Sequence, residues 1–374
     1  MTLLVEQKIR DRYMRMALSF AQRGTGAVSP NPRVGCVIVD ESVHGGKVVS
    51  WGYHRRYGAP HAEVEALRRA GGYAKGCTLY VNLEPCSHIG KTPPCTDAII
   101  EAGISKVVAG MKDPNPKVNG SGIGALEKAG VETVVGVLEE ECRWINRGFI
   151  RSMTMGRPWV TVKAAVSVDG KMALSNGESR WISGSESRTR SHLLRAGNDA
   201  IMVGVGTILE DNPDLSVRDA DGSSPVKVIV DTELKTPEDA RILGSGKCVF
   251  FTGPSPDENK VGALTKKGAK VIRQKEETGA HIPMDAILSE LCALGVNQLM
   301  VEGGSKLIGS LIKSGTVDEY SIFIAPKVLG LGIGFGDSLS FAHMDDTISM
   351  KNMKVRKIGD DIWFEGIPAC SPDL

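Results

Sequence analysis

The sequence has no run of the roughly 18 apolar residues that a membrane-spanning helix requires, so a bilayer-embedded chain is not expected. It also lacks an excess of either charge. Lys and Arg number 45 against 44 Asp and Glu, a formal balance of +1. That removes the bulk electrostatic case for a nucleic-acid or membrane-surface binder and leaves only local basic pockets. Cysteine is scarce: 8 in 374 residues is far below the density of a disulfide scaffold. The apolar settings of Cys36 (VGCVIV) and Cys248 (KCVFF) read as small buried thiols. Near the N-terminus, Lys8, Arg10, Asp11 and Arg12 interrupt the segment where a secretory signal would be continuously apolar. The expected location is cytoplasmic.

What is present suits an α/β protein: 41% hydrophobic and 24% charged residues, with 44 Gly and 18 Pro, argue against long disorder. The length is about two and a half times the ~150 residues of a common domain, so two domains are expected. Ile9, Tyr13, Met16, Ala17 and Phe20 have helical spacing. Strands are then expected at 34–40 and 47–54 as a hairpin, within 76–86 where a strand runs into a loop, and at 105–111 and 131–137. Helices at 61–71 and 95–103, and over GIGALEKAG, alternate with them. The alternation restarts at 157–170 and continues through a helix at 185–197 and strands at 199–206, 225–231, 247–253 and 269–274. A helix at 284–295, a strand at 297–304 and a helix over SKLIGSLIKSG follow, with one or two closing strands from about 350. Such alternation predicts sheets with helices on their faces. The halves share no motif, so domains at 1–146 and 157–374, joined by a linker at 147–156, are expected to differ.

In the first half, His61 and Glu63 begin a helix, Cys86 follows Pro85 after a strand, and Cys95 begins another helix. One His and two Cys suit a tetrahedral zinc ion with a fourth position open. Zinc lowers the pKa of bound water to about 7 in favourable sites, and Glu63, not needed as a ligand, is placed to move that water's proton to a leaving amine. This is the chemistry by which zinc deaminases convert a ring amidine to a carbonyl. His-x-Glu alone is common by chance, but with Pro-Cys after a strand it is far more specific. The usual second half of the signature is Pro-Cys-x-x-Cys, whereas here SHIGKTPP separates Cys86 from Cys95. A bland reading makes Cys95 a core thiol and His61 a surface cap. Deamination of bases in nucleic acid would call for a basic surface along 1–146, where there is no Lys/Arg run and the densest clusters are Arg55-Arg56 and Arg68-Arg69. A free nucleotide-like substrate fits better.

The second half carries no dinucleotide fingerprint. Gly204-Val-Gly206 is followed by Leu209, and Gly120, Gly122 and Gly124 lack the strand–turn–helix context. VEGGSKLIGS, by contrast, places a glycine pair between a strand and a helix whose exposed amides can hold a phosphate.

HAEVEAL, YVNLEPCSHIGKTPPCTDAII, VVAGMKDPNPKVNGSGI, SPNPRVGCVIV and GYH closely resemble the deaminase domain of the bifunctional riboflavin-biosynthesis deaminase/reductases. KAAVSVDGKMAL, GESRWISG, LRAGNDAIMVGVGTILEDNPDLSVR and VEGGSKLIGSLIKSGTVDEYSIFIAPKVLG resemble their reductase domain, so the likeness spans essentially the whole chain. It implies a cytidine-deaminase-like N-terminal fold and a dihydrofolate-reductase-like C-terminal fold. It further implies Zn2+ and NADPH as cofactors, a phosphorylated diaminopyrimidinone ribosylamine as substrate, and a homo-oligomer, dimer or tetramer.

By the same resemblance, Asn31, His54, His88 and Lys91 hold the deaminase substrate. Lys91 and the imidazoles suit a phosphate, and Asn31 a ring edge. Ala165, Trp181, Thr207, Asp211 and the run Gly304, Ser305, Lys306, Leu307, Ile308, Gly309 and Ser310 are implied to contact NADPH. Lys163, Ser179, Arg195, Leu215, Arg218 and Glu302 are implied to contact the reductase substrate. Two arginines and a lysine suit a 5′-phosphate, and an acid such as Glu302 can accept bonds from ribose hydroxyls. Glu65 stands where many relatives carry His, outside the ligand set. Two other readings remain at this stage: a deaminase whose second domain is an inactive scaffold, and a zinc-stabilised binding protein, which would have no need of Glu63.

Overall fold

A computed structural model describes the chain except residues 1, 89–92, 117 and 275–281. It divides into two compact units, Met1–Met155 together with Leu374, and Gly156–Asp373. Among the described residues no helix is long and apolar enough to cross a membrane.

The first unit contains α1 (Thr2–Ala21), β1 (Gly35–Asp40), β2 (Lys47–Tyr53), α2 (Ala62–Ala70), β3 (Thr78–Val81) and α3 (Cys95–Glu101). It continues with β4 (Lys106–Ala109), α4 (Ser121–Lys128), β5 (Glu132–Val135), α5 (Glu139–Ile145) and α6 (Arg147–Met155). The sheet order is β2-β1-β3-β4-β5, with β1 antiparallel to β2 and β3, and β3, β4 and β5 parallel. Both faces of this sheet are covered. Cys36 and Ile38 pack with Ala62, Ala66 and Ile99 on one side, and Val37 and Val39 pack with Tyr13, Ala17 and Ile145 on the other. Double coverage explains why β1 reads as an unbroken apolar run rather than an alternating one.

Residues 147–155, expected as part of a linker, form α6 and belong to the first unit. Gly148, Ile150, Arg151 and Ser152 are its buried positions, so this helix docks rather than spans. α5 was also not anticipated, although its three acids, Glu139, Glu140 and Glu141, favour a helix start.

The second unit contains β6 (Trp159–Ser167), β7 (Lys171–Leu174), α7 (Ser185–Ala196), β8 (Ala200–Gly204), α8 (Val205–Asp211) and β9 (Val226–Val230). β10 (Cys248–Thr252), α9 (Glu258–Lys266), β11 (Lys270–Arg273), α10 (Met284–Ala293), β12 (Gln298–Val301) and α11 (Ser305–Lys313) follow. β13 (Glu319–Ala325), β14 (Gly332–Gly334), β15 (Met350–Ile358) and β16 (Asp361–Pro368) close it. Nine strands form one sheet in the order β11-β10-β9-β8-β12-β6-β13-β16-β15, with β7 and β14 paired apart. Its strands are parallel from β11 to β13, and β16 and β15 run antiparallel. Gly204, Glu302 and Ser167 therefore lie at one edge, the carboxyl ends of β8, β12 and β6, where open parallel sheets bind ligands. The expected strand at 199–206 stops at Gly204 because residues 205–211 turn into α8.

Candidate active site

In the first unit, α2 sets the geometry. Pro60 precedes it, Glu63 and Glu65 occupy its first turn, and Arg68 and Arg69 its last, matching the helix dipole. Gly52 lets α2 lie close on β2, since a Cβ there would sit 2.2 Å from the Ala62 carbonyl oxygen. This close seat brings His61 to the thiols of Cys86, after β3, and Cys95, at the start of α3.

His61 Nδ1 lies 3.2 Å from Cys95 Sγ and 3.6 Å from Cys86 Sγ. All three donor atoms fall within 4.8 Å of one another. Zn–S near 2.3 Å and Zn–N near 2.0 Å in a tetrahedron put neighbouring ligands roughly 3.5 Å apart, so the donor set fits zinc. The metal-free electrostatics agree. Cys86 is pulled down to about 4 by hydrogen bonds from Cys95 and His61, while Cys95 is pushed up because it donates to Cys86. Two thiols this close compete for one proton, and a dication removes that conflict.

Glu63 is 3% exposed, and its Oε2 is buried without a hydrogen-bond partner. Burial pushes its carboxyl up to about 7, the range in which one group both accepts and gives back a proton. It lines a cavity of about 300 Å³ together with Asn31, His54, His61, Cys86 and His88. Asn31 Nδ2 donates to His54 Nε2 at 3.1 Å, and His54 Nδ1 donates to the Pro60 carbonyl at 3.1 Å. Both imidazole nitrogens are thus engaged, and burial lowers the His54 pKa. His54 holds Asn31 in place, with both ring nitrogens already engaged by protein partners. His88 is exposed at the cavity wall, and Lys91 lies outside the described residues.

Several cavity residues had no assigned role in the sequence, Glu84 and Val118 among them. Asp113 and Asn115 line it from the loop after β4, and burial pushes the Asp113 carboxyl up to about 6. Phe149 reaches it from α6, within the segment expected to be a linker. The DPNP run was the available signal for Asp113 and Asn115. Nothing local marks Phe149.

In the second unit, Arg195 of α7 grips Glu302 with two bonds, Nε to Oε1 at 2.9 Å and Nη2 to Oε2 at 2.8 Å. Lys163 of β6 stands 3.9 Å from the same carboxylate. Burial alone would raise Glu302, but Arg195 and Lys163 hold it at about 2. These three expected residues meet, although Arg195 is already committed to Glu302. Arg218 pairs with Asp214 at 3.3 Å instead, and Leu215 is buried. Ser179 is half-buried and Trp181 is 63% exposed, with Arg188 over its ring. Thr207 and Asp211 lie on α8, where Asp211 is paired with Arg180. Ala165 follows Lys163 on β6 at the spacing that shares one face.

The glycine-rich run divides. Gly303 lets β12 turn tightly against α11, because a Cβ would meet Leu307 Cδ2 at 2.7 Å. Gly304 caps α11 without a side-chain hydrogen bond, so the Ser305, Lys306 and Leu307 amides lack intrahelical partners. Ile308 is buried and its amide already donates to Gly304, Gly309 is packed against Ser338, and Ser310 Oγ donates to Lys306. Only the first turn of this helix has backbone donors to give a phosphate.

Comparison with known proteins fits both halves. A family profile described as the cytidine and deoxycytidylate deaminase zinc-binding region matches residues 7–111, and one described as the RibD C-terminal domain matches 158–364. The riboflavin biosynthesis protein RibD of Aquifex aeolicus is 42% identical over 357 residues, 95% of this chain and 98% of that protein. RibD of Escherichia coli is 37% identical, covering 94% of this chain and 97% of its own. Among solved structures, Acinetobacter baumannii RibD superposes with a TM-score of 0.87 at 33% identity, over 97% of this chain and 99% of that one. A Thermotoga maritima diaminohydroxyphosphoribosylaminopyrimidine deaminase/5-amino-6-(5-phosphoribosylamino)uracil reductase gives 0.85 at 34%, over 97% and 100%. With a cytidine-deaminase-like zinc unit followed by a dihydrofolate-reductase-like unit, this chain belongs to the RibD family, the bifunctional deaminase/reductases of riboflavin biosynthesis.

Proposed function

We propose that the first unit deaminates 2,5-diamino-6-ribosylamino-4(3H)-pyrimidinone 5′-phosphate and the second reduces the product's ribosyl group to ribityl with NADPH, giving 5-amino-6-ribitylaminouracil 5′-phosphate. The observation that carries the first step is the buried Glu63 carboxylate, with Oε2 free to meet a ligand, beside three convergent zinc donors in a cavity. A zinc ion held by His61, Cys86 and Cys95 would make hydroxide available near neutrality. Glu63 takes the proton of the attacking water and delivers it to the departing amine, so that ammonia leaves and a ring carbonyl remains. Asn31, fixed by His54, faces the ring edge, and His88 and Lys91 take the phosphate.

In the second unit the first-turn amides of α11 and the residues Ala165, Trp181, Thr207 and Asp211 hold NADPH. Lys163, Ser179, Arg195, Leu215, Arg218 and Glu302 hold the substrate. Reduction adds a hydride from NADPH and a proton, and position does most of the work because the hydride chemistry belongs to the cofactor. β15 is an exposed nine-residue edge strand, which supports pairing between copies in a homo-oligomer. Cys36, Cys77, Cys142 and Cys248, buried and in no disulfide, support a reducing, cytoplasmic setting.

The test supplies the diaminopyrimidinone with and without NADPH and follows product mass. Replacement of one amine by oxygen without NADPH, and a further gain of two hydrogens with it, is expected. Deamination with no NADPH-dependent step would leave the second unit as a scaffold and overturn the bifunctional reading for this chain.

A further inference from the structure

β3 runs into Asn82-Leu83-Glu84-Pro85-Cys86, and of these only Cys86 has a role in the chemistry above. Glu84 is 3% exposed, yet its carboxylate is fully engaged with backbone. Oε2 accepts from the amides of Asp113 at 3.1 Å and Gly120 at 3.0 Å, and Oε1 accepts from Gly122 at 2.9 Å and Ile123 at 3.2 Å. Gly122 and Ile123 lie in the first turn of α4, whose amides have no partner within the helix and whose dipole favours a negative charge. One side chain, two residues from a metal ligand, therefore anchors both ends of the segment 113–123. Between those anchors lie Asp113, Asn115 and Val118, which form one wall of the cavity. The approach is close: a Cβ on Gly122 would lie 1.9 Å from the Pro85 carbonyl oxygen. Local turns fold the rest of the wall, with the Asn115 amide donating to Asp113 Oδ1 at 2.8 Å and the Val118 amide to the Asn115 carbonyl at 2.9 Å. Those turns do not set its distance from Cys86; the Glu84 carboxylate does, together with the Glu84 amide on the Met111 carbonyl at 2.9 Å and the Ser87–Ser121 hydroxyl pair at 2.7 Å.

We propose that Glu84 is a positioning residue of the deaminase, holding the Asp113–Val118 wall at a fixed distance from the metal ligands so that the ring of the substrate is clamped between them. The inference rests on the reading that this cavity takes the diaminopyrimidinone. It makes Glu84 act on substrate binding and leaves proton transfer to Glu63.

The test uses the full chain loaded with zinc and two variants. Glu84→Gln turns one acceptor oxygen into a donor that faces backbone N–H groups. Gly122→Ala keeps the carboxylate but drives a methyl group into the Pro85 carbonyl. In each, KM for the diaminopyrimidinone is expected to rise at least about tenfold while kcat for ammonia release changes less than about threefold, the pattern of lost substrate positioning. Zinc should stay at one per chain, and reduction of the already deaminated intermediate should be unchanged. The double variant Glu84→Gln/Asp113→Ala should raise KM by less than the product of the two single effects, because both act through one wall. A parental KM in either zinc-retaining variant overturns the proposal. So does loss of zinc and of ammonia release together in both, which would assign Glu84 to the fold alone. A parent enzyme that releases no ammonia from this compound overturns the substrate reading first, and this inference with it.

Discussion

Replacing Glu63 with Gln separates the roles of the first unit most cleanly. The amide has the same shape and no charge, and Glu63 is not among the three convergent donors, so zinc should remain at one per chain. The fold should hold as well, because the substitution removes a buried carboxylate whose Oε2 has no partner. What is lost is proton movement. A positioned acid or base contributes about 10²–10⁴-fold, and Glu63 serves on both sides of the reaction, taking a proton from water and giving one to the amine. Ammonia release should therefore fall by at least about 10³-fold, or roughly 4 kcal/mol of barrier. The assay couples ammonia release to a spectrophotometric readout, with zinc content and NADPH-dependent reduction of the deaminated intermediate measured on the same preparation. Both controls should match the parent. Ammonia release within about tenfold of the parent would refute the assignment of Glu63 as the proton carrier.

Arg195→Ala should abolish reduction and leave ammonia release untouched. It strands Glu302 beside Lys163, and breaking a buried pair from one side costs about 3–5 kcal/mol, visible as a lower melting transition of the second unit. The same carboxylate predicts a pH dependence. Its folded pKa, about 2, lies below the ordinary 4.5. The unfolded chain thus binds the proton first, and the stability this group contributes is complete above 4.5 and fades as pH falls toward 2. Urea unfolding should show Glu302→Gln weakened by roughly 3 kcal/mol near pH 6 and much less near pH 3, and an equal deficit at both would contradict the ion-pair origin. Gly52→Ala should push α2 off β2, destabilise the first unit by about 1–3 kcal/mol and lower its zinc content, measured by metal analysis after dialysis. Chelation of zinc should stop ammonia release, spare reduction, and open Cys86 to alkylation that zinc restores protection against.

The metal site was legible in the chain because each ligand sits at an element boundary that local signals mark. Pro60 and the paired acids announce α2 below His61, and Pro94 precedes Cys95 at the start of α3. The alternation of short apolar runs and amphipathic stretches likewise gave most strands of both sheets within two or three residues, since buried strands and helices carry different periods. α6 escaped that reading. RGFIRSMTM mixes charge and apolar residues without a cap, and only its packing on the first unit makes it a helix rather than a connector.

Residue type and order alone pointed to the zinc donors, the two-domain plan and the glycine turn before α11, because each is a matter of which chemical groups stand next to which backbone signals. Tertiary structure decided the rest. It joined Arg195, Lys163 and Glu302 from three separate elements, fixed His54 as a support for Asn31 by engaging both its nitrogens, and used the Glu84 carboxylate to tie down a wall 29 to 39 residues downstream. A carboxylate looks the same in sequence whether it meets solvent, an arginine or four backbone amides. Only the folded chain sets the dielectric and the partners that give it one role.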